Sequence, residues 1–433
     1  MSKPILDDEL WSLIEPVLPP PKKRRRRHPG RRPLGNREVL SAILFVLKTG
    51  IPWESLPQEL GWGSGMTAWR RLHAWQRQGV WDKLHHTLLA RLQEARHEDR
   101  FAFFMPTASG PCRFGMYNLL HKTVLKRLGL LDRVKLVSQP DSDYFTGISK
   151  GLAVRTFAAF VAGDMLMQAL LTARPVEKQP GAAQAIFDET QRELVRLLES
   201  QPAPSLGNSL VEALGGLFGM RAICQKAAAR FASIMRRDVH RPVVSLVGEI
   251  YVRLDPFSND FVIEKLEKRG LAVRLAPLWE WLEYTDLSNE MEIRKGRFTA
   301  PDAFWSRAVS MFVQRGITER IHRIFAQELG WPARTTAAQS LQAASPYIRP
   351  ELLGEAVLTL GGPVHEYRQG EIEGVVSVGP LECMPNKICE AQYFHVQRDM
   401  GLPYLVLSLN GEPLEEKSLD HFAYEVHRRF REK

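Results

Sequence analysis

Twice in this chain a short apolar run enters a turn containing glycine and proline, reaches a cysteine and continues with helical spacing. The first case is the run at 101–105, then Thr107-Ala-Ser-Gly-Pro-Cys112-Arg-Phe-Gly-Met-Tyr117, with Leu120, Val124 and Leu128 at four-residue steps before Gly129. The second is Gly374-Val-Val-Ser-Val-Gly-Pro-Leu-Glu-Cys383-Met-Pro-Asn-Lys-Ile388. Apolar runs bounded by turn residues read as buried strands, and the four-residue spacing reads as one face of a helix. Strand, turn and helix in that order commit both regions to α/β structure. In open α/β sheets such turns hold ligands, because the helix that follows presents free amides and its positive dipole end to the loop. Two cysteines in equivalent turns are therefore able to face one site.

Between and around these units the same alternation continues. Residues 133–138 read as a strand and 139–144 as a turn-rich loop. A block at about 148–238 is helical throughout, with segments at 152–171, 182–198 and 210–235. Strand character resumes at 242–247. A loop through 248–260 follows, in which Ser258 or Asn259 can cap a helix ending near Lys268, and Glu249, Asp255 and Asn259 stand at strand ends. Further strands are expected at 271–275 and 402–409, with helices at 303–329 and 418–431. The predicted fold is α/β: Rossmann- or flavodoxin-like parallel-sheet halves with a helical insert, preceded by a small all-α helix-turn-helix-like domain. The expected division is 1–96 and 97–433.

Charge marks the same boundary. Of 58 Lys/Arg and 49 Asp/Glu, 17 and 9 fall in residues 1–96, leaving 41 and 40 for the rest; the net +9 thus splits into +8 and +1. Within the basic part, Lys22-Lys-Arg24-Arg25-Arg26-Arg27-His-Pro-Gly-Arg31-Arg32 reads either as a solvated arm or as a set of phosphate contacts. Helices are expected at 6–17, at 36–48 with Asn36 as N-cap, at 53–60 and at 66–79. The last pair suits a helix-turn-helix whose second helix offers Thr67, Arg70 and Arg71 to a DNA groove. The most apolar window, 153–173, carries Arg155 and Asp164, which argues against a membrane span. Four cysteines in 433 residues fit a reducing, cytoplasmic setting rather than a disulfide scaffold.

The residues Gly35-Asn-Arg-Glu-Val-Leu, Leu47-Lys-Thr-Gly-Ile-Pro-Trp-Glu-Ser-Leu-Pro57, Gly61-Trp62 and Thr67-Ala-Trp-Arg-Arg-Leu-His-Ala-Trp-Gln-Arg-Gln-Gly-Val-Trp81 resemble the N-terminal DNA-binding region of IS5-like transposases, over about residues 5–95. That family continues into an RNase H-like domain with three metal-binding carboxylates. Here Arg96-His-Glu-Asp-Arg100 leads into the first cysteine unit instead, so no transposase catalysis is expected.

The remainder carries no P-loop, no G-x-G-x-x-G, no H-E-x-x-H and no G-x-S-x-G, which excludes the common nucleotide, zinc-protease and serine-hydrolase signatures. The cysteines stay open between inert packing and metal ligation; Cys224 reads as core, and Cys389 as packing or as a ligand. Thr107 to Asn118, Gly248 to Asp260, Gly379-Pro-Leu-Glu-Cys-Met-Pro-Asn-Lys387 and Leu407-Ser-Leu-Asn-Gly-Glu-Pro413 resemble the C-terminal part of activase-related proteins of the 2-hydroxyacyl-CoA dehydratase family, over about residues 100–433. The resemblance implies a [4Fe-4S] cluster for low-potential electron transfer, with Cys112 and Cys383, and at most Cys389, among its ligands. It further implies an ATP-dependent activator or a dehydratase subunit as partner. Joined in one chain, the two resemblances imply a fusion of a transposase fragment with part of an iron-sulfur protein. The alternatives are a DNA-binding protein with a ligand-sensing α/β region and a relic without activity.

Overall fold

The computed structural model describes residues 6–20, 34–94, 101–105, 107–108, 110–139, 145, 147–294 and 301–432. They group into two compact units. The first holds the described residues through Phe103 with Lys122–Lys135 and Asp255–Phe257, and the second holds the others.

In the first unit α1 (Asp8–Ile14) starts where the Asp7 side chain accepts the Leu10 N–H at 2.8 Å, and it tightens into a 3-10 turn at Glu15–Val17 around Pro16. Next, α2 (Asn36–Thr49) buries Val39, Leu40, Ala42, Ile43 and Val46 and stops at Gly50 in left-handed backbone. The N-cap is Gly35 rather than Asn36. Asn36 opens the helix, and its amide donates to the Pro19 carbonyl at 2.9 Å. The helix expected at 53–60 is instead two isolated 3-10 turns, Trp53–Ser55 and Gln58–Leu60. Pro57 between them has no N–H to carry a helix forward. Helix α3 (Gly65–Arg77) follows, capped by Ser64, whose hydroxyl accepts the Thr67 N–H at 3.3 Å; such caps contribute about 1 kcal/mol. Gly65 is required there, since a Cβ would stand 1.6 Å from the Trp53 carbonyl oxygen. With α4 (Val80–Glu94), these helices enclose Ile14, Val39, Ile43, Leu56, Trp75 and Val80.

The first cysteine unit forms β1 (Phe101–Phe104), α5 (Phe114–Arg127) and β2 (Val134–Val137). The two strands make a sheet of their own, in which the Phe101 and Met105 amides donate to the Arg133 and Val137 carbonyls, both at 2.9 Å. Every residue of β1 is exposed and α5 buries none of its residues.

The second unit opens with a helical block of α6 (Lys150–Ala173), α7 (Ala182–Ser200), α8 (Leu206–Leu214) and α9 (Met220–Ile234), close to the insert expected at 148–238. The helix expected at 210–235 is broken by Gly215-Gly216 and by Leu217 and Phe218, which take φ of 53° and 57°. Helix α6 with its following turn is long and apolar enough to cross a membrane, yet it is the middle of this block, with Phe157, Val161, Leu166 and Leu170 buried. Its charges are engaged inside: Arg155 donates to the Pro202 carbonyl at 2.8 Å, and Asp164 accepts the Trp279 N–H at 3.0 Å.

Then come β3 (Val243–Gly248), α10 (Ile250–Leu254), α11 (Val262–Lys268), β4 (Ala272–Leu275), α12 (Trp279–Arg294), α13 (Pro301–Leu329), α14 (Ala337–Ala344), α15 (Ala356–Arg368), β5 (Gly374–Pro380), α16 (Met384–Met400), β6 (Tyr404–Leu409) and α17 (Glu416–Glu432). The strands lie in the order β4-β3-β5-β6, all parallel, with Val244 opposite Gly374 and Val375 opposite Tyr404. One face packs on Tyr284, Leu341, Leu360 and Tyr393 from α12, α14, α15 and α16; the other packs on Leu266, Phe422 and Val426 from α11 and α17. Helices on both faces explain why β5 is a continuous apolar run. Two full sheets were expected. Among the described residues the second sheet is the β1–β2 pair alone, because no further strand joins it.

Candidate functional sites

Two places concentrate functional side chains, one in each unit. In the second unit the chain leaves β3 for β4 on one side and later crosses back to β5 on the other. The strand order therefore reverses between β3 and β5, and in open parallel sheets ligands bind beyond the carboxyl ends of the strands at that point. There β3 ends in Gly248-Glu249 and β5 ends in Pro380-Leu-Glu-Cys383.

Backbone constraints shape this end of the sheet. Gly248 takes φ +113°, and a Cβ on it would lie 1.9 Å from the Val378 carbonyl oxygen. That proximity lets the Glu249 N–H reach the same carbonyl at 2.9 Å. Across the gap Glu382 holds φ +64°, Cys383 is the N-cap of α16, and Ser377 donates to Asn386 at 2.7 Å behind it.

Cys112 comes to the same place from the other cysteine turn. Arg113 donates to the Glu382 carbonyl, and a Cβ on Gly110 would stand 2.7 Å from the Leu353 carbonyl oxygen, so the turn is seated on the loop ahead of α15. Both thiols are half-buried, each is close enough to a backbone amide in the first turn of its own helix to be pulled down by it (Phe114 for Cys112, Asn386 for Cys383), and each lies in the field of Glu355 and Glu249. Burial raises both thiol pKa values despite those amides, and the two carboxyls push them further. Both sulfurs are accordingly protonated near neutrality and are weak nucleophiles until a cation displaces the protons.

The groups around them were not singled out by motif. Glu355 stands just ahead of α15 with its side chain 15% exposed. Burial pushes its carboxyl up to about 8, against the pull of Arg253, with Glu249 and Glu280 adding to the rise. Arg253 ties these segments together: it donates to the Gly248 carbonyl at 2.8 Å, to Glu355 at 3.2 Å and to the Pro277 carbonyl at 3.3 Å. An arginine inside the short apolar segment Ile250-Tyr-Val-Arg-Leu254, just after a Gly-Glu pair, was the available signal. Glu249, expected as a site residue at a strand end, and Asn259, expected there as a site or capping residue, both do capping duty. Glu249 accepts the Val252 N–H at 2.8 Å and Asn259 accepts the Val262 N–H at 3.2 Å, although backbone geometry makes Phe261 the N-cap of α11.

A cubane iron-sulfur cluster takes about four ligands. Two thiols are present here. Cys389 is fully buried with its thiol donating to the Ala356 carbonyl at 3.1 Å, and Cys224 is buried in the helical core, where burial pushes its thiol up to about 12. Among the described residues no group of three His, Cys, Asp or Glu side chains is arranged to hold a metal ion. The residues present do not fit a complete cluster site.

In the first unit the second candidate site is α3. Arg70 and Arg77 are exposed on it beside Met66, with Thr67 partly exposed. Arg70 is held toward its own helix by an Nε hydrogen bond to the Met66 carbonyl at 3.1 Å, and the Thr67 hydroxyl pairs with Ser64 at 2.9 Å. Arg71 turns inward: it donates to the Asn36 side chain and lies 5.3 Å from the Trp75 ring centroid. Arg77, seven residues on from Arg70, lies on the same helix face. Arg24, Arg25, Arg26, Arg27, Arg31 and Arg32 lie outside the described residues.

The described part of this module is all-α, with Arg70 and Arg77 exposed on α3. Residues 6–85 match the family described as "Putative transposase of IS4/5 family", and the chain belongs to that family through this module. It is similar to the insertion element IS402 uncharacterized 16.2 kDa protein of Burkholderia cepacia, with 63% identity over 99 residues, 23% of this chain and 67% of that protein. No solved structure matches.

Proposed function

We propose that this protein binds DNA through its transposase-derived module and carries an α/β region that takes a ligand. The observation that carries the first part is the exposed pair Arg70 and Arg77 on α3, inside the segment that belongs to the IS4/5 family. A helix presented this way suits the major groove, where arginine reads guanine edges or holds phosphates. The basic run at 22–32 supplies further affinity that is indifferent to sequence and sensitive to salt. Mobility shifts of duplexes with different sequences, run over a salt series, test this. Arg70→Ala is expected to weaken the preferred duplex by about tenfold, on the order of 1–3 kcal/mol, while leaving weak duplexes nearly unchanged. Uniform loss across all duplexes would reduce α3 to a backbone contact, and no loss would remove it from the interface.

A second reading is favoured by the meeting of Cys112 and Cys383 at the strand-order reversal of a Rossmann- or flavodoxin-like sheet. In it the α/β region belongs to an iron-sulfur system of the 2-hydroxyacyl-CoA dehydratase kind. The cluster's remaining ligands would then come from a partner chain, since this one offers two thiols. Anaerobic reconstitution followed by iron and sulfide analysis tests it: a chain that stays colourless and iron-free, alone and with a candidate partner, sinks the reading.

A further inference from the structure

Spacing along α3 offers Arg71 to a DNA groove, and the structure turns it inward. Arg71 lies midway along the helix and is only partly exposed, whereas Arg70 and Arg77 are exposed. Its guanidinium stands 5.3 Å from the ring centroid of Trp75, one turn further on, and Trp75 is 1% exposed in the core of the first unit. A planar guanidinium can stack on an indole face and still donate hydrogen bonds in its own plane. Here it donates to the side-chain oxygen of Asn36, at the start of α2. Burial pulls the Arg71 pKa down, and among the described residues no carboxylate pairs with it.

Asn36 in turn donates its amide to the Pro19 carbonyl at 2.9 Å, just past the 3-10 turn that follows α1. Both bonds require the same orientation of the amide, oxygen toward the cation and nitrogen toward the carbonyl. The reversed amide would set N–H groups against N–H groups and leave the carbonyl without its donor. One side chain thus joins α3, α2 and the segment behind α1. The start of α3 is held separately, by the Ser64 cap and by the close approach of Gly65 to the Trp53 carbonyl. The Arg71 contact is a second fixed point half a helix further on. An α-helix turns by about 100° per residue, so holding Arg71 inward sets the rotation that leaves Arg70 and Arg77 outward.

We infer that Arg71 and Asn36 are positioning residues for DNA recognition: Arg71 touches neither phosphate nor base, and its bond to Asn36 sets the rotation at which α3 presents Arg70 and Arg77. The inference rests on the DNA-binding reading and assigns to Arg71 a role other than groove contact.

The test uses the full chain, a duplex that the wild type selects from a randomised pool and an unrelated duplex, with mobility shifts run over a salt series. Losing a phosphate contact lowers the slope of log affinity against log salt by about 0.9, whereas losing a positioning residue leaves the slope as it was. Arg71→Met keeps an unbranched side chain beside Trp75 and removes the bond to Asn36. It is expected to cut the preference for the selected duplex about tenfold, the worth of one hydrogen bond to a charged group, at the wild-type salt slope. A variant that merely unfolds part of the chain weakens both duplexes alike and leaves the preference unchanged. Asn36→Ala leaves Arg71 in place and is expected to give the same loss, so it carries the test should Arg71→Met fail to fold. The double variant is expected to lose no more than either single one, because both break one bond. A salt slope reduced by about one in Arg71→Met, additive losses in the double variant, or wild-type preference in both single variants overturns the proposal. If Arg70→Ala loses the preference while these variants keep it, the DNA-binding reading stands and the proposal falls. A wild type that prefers no duplex removes both.

Discussion

The two cysteine units share a sequence pattern and differ in what surrounds them. In the second, β5 is buried except at Pro380 and α16 buries Asn386, Cys389, Tyr393 and Val396. In the first, β1 is exposed throughout and α5 buries nothing. Local sequence set the same strand, turn and helix in both places, and the cysteine ended at the N-terminus of the helix in both. Burial was set by the neighbours: β5 has β3 on one side and β6 on the other, whereas among the described residues β1 pairs with β2 alone. A motif therefore foretells the geometry of a turn, and the elements packed around it decide how much stability the turn rests on.

The largest effect that follows is a contrast between two tyrosines. Tyr393 on α16 is fully buried and donates to the Thr359 carbonyl at 2.6 Å, while Tyr117 on α5 is 39% exposed and touches Phe114 edge-on at 5.7 Å. Tyr393→Ala is expected to destabilise the chain by about 3–5 kcal/mol, as large aromatic truncations in cores do. Tyr117→Ala should stay within about 1 kcal/mol. Urea denaturation of both variants checks this. Comparable losses would mean that α5 is packed as firmly as α16 and would erase the comparison.

How much of this was legible in the sequence follows the same division. The β3, β4, β5 and β6 runs were readable because a sheet covered on both faces needs uninterrupted apolar strands. The meeting of Cys112 and Cys383 was readable because their turns are alike. The number of strands beside β1 was not readable, since pairing is decided by distant partners. The break at 53–60 is legible too, because Pro57 interrupts the helix expected there. Glu355 and Arg253 are not legible in the sequence, because nothing local marks a carboxylate and a guanidinium that pair across 102 positions.

Glu355 offers a smaller effect that bears on both cysteine units at once. Its carboxyl is raised from 4.5 to about 8 in the fold, so the folded chain keeps a proton that the unfolded chain releases above pH 4.5. Unfolding then sheds a proton between about pH 4.5 and pH 8, and stability falls as pH climbs through that window. Asp164, pushed to about 6, and Glu280, pushed to about 7, act in the same direction. Glu355→Gln removes one share of the decline. It should match the wild type at pH 5 and exceed it at pH 9 by on the order of 2 kcal/mol, read from denaturation midpoints. A variant less stable at both pH values would mean that the Arg253 pair outweighs the cost of burying the charge.

The smallest effect separates the scaffold of each unit from its cysteine. Although β1–α5 and β5–α16 differ in burial, Cys112 and Cys383 are both half-buried and both feel Glu355 as the foremost carboxylate. At pH 8.5, where Glu355 is largely ionised, iodoacetamide should alkylate both thiols more slowly than a peptide cysteine, yet well before Cys224 and Cys389, which are 1% and 0% exposed. Glu355→Gln removes a negative charge from beside each sulfur and should lower both thiol pKa values, speeding both reactions by about twofold to fivefold. Mass spectrometry of the alkylated peptides resolves the sites. Acceleration at Cys383 alone would place Cys112 outside the field of Glu355, and the twin turns would then be alike in sequence without sharing a site.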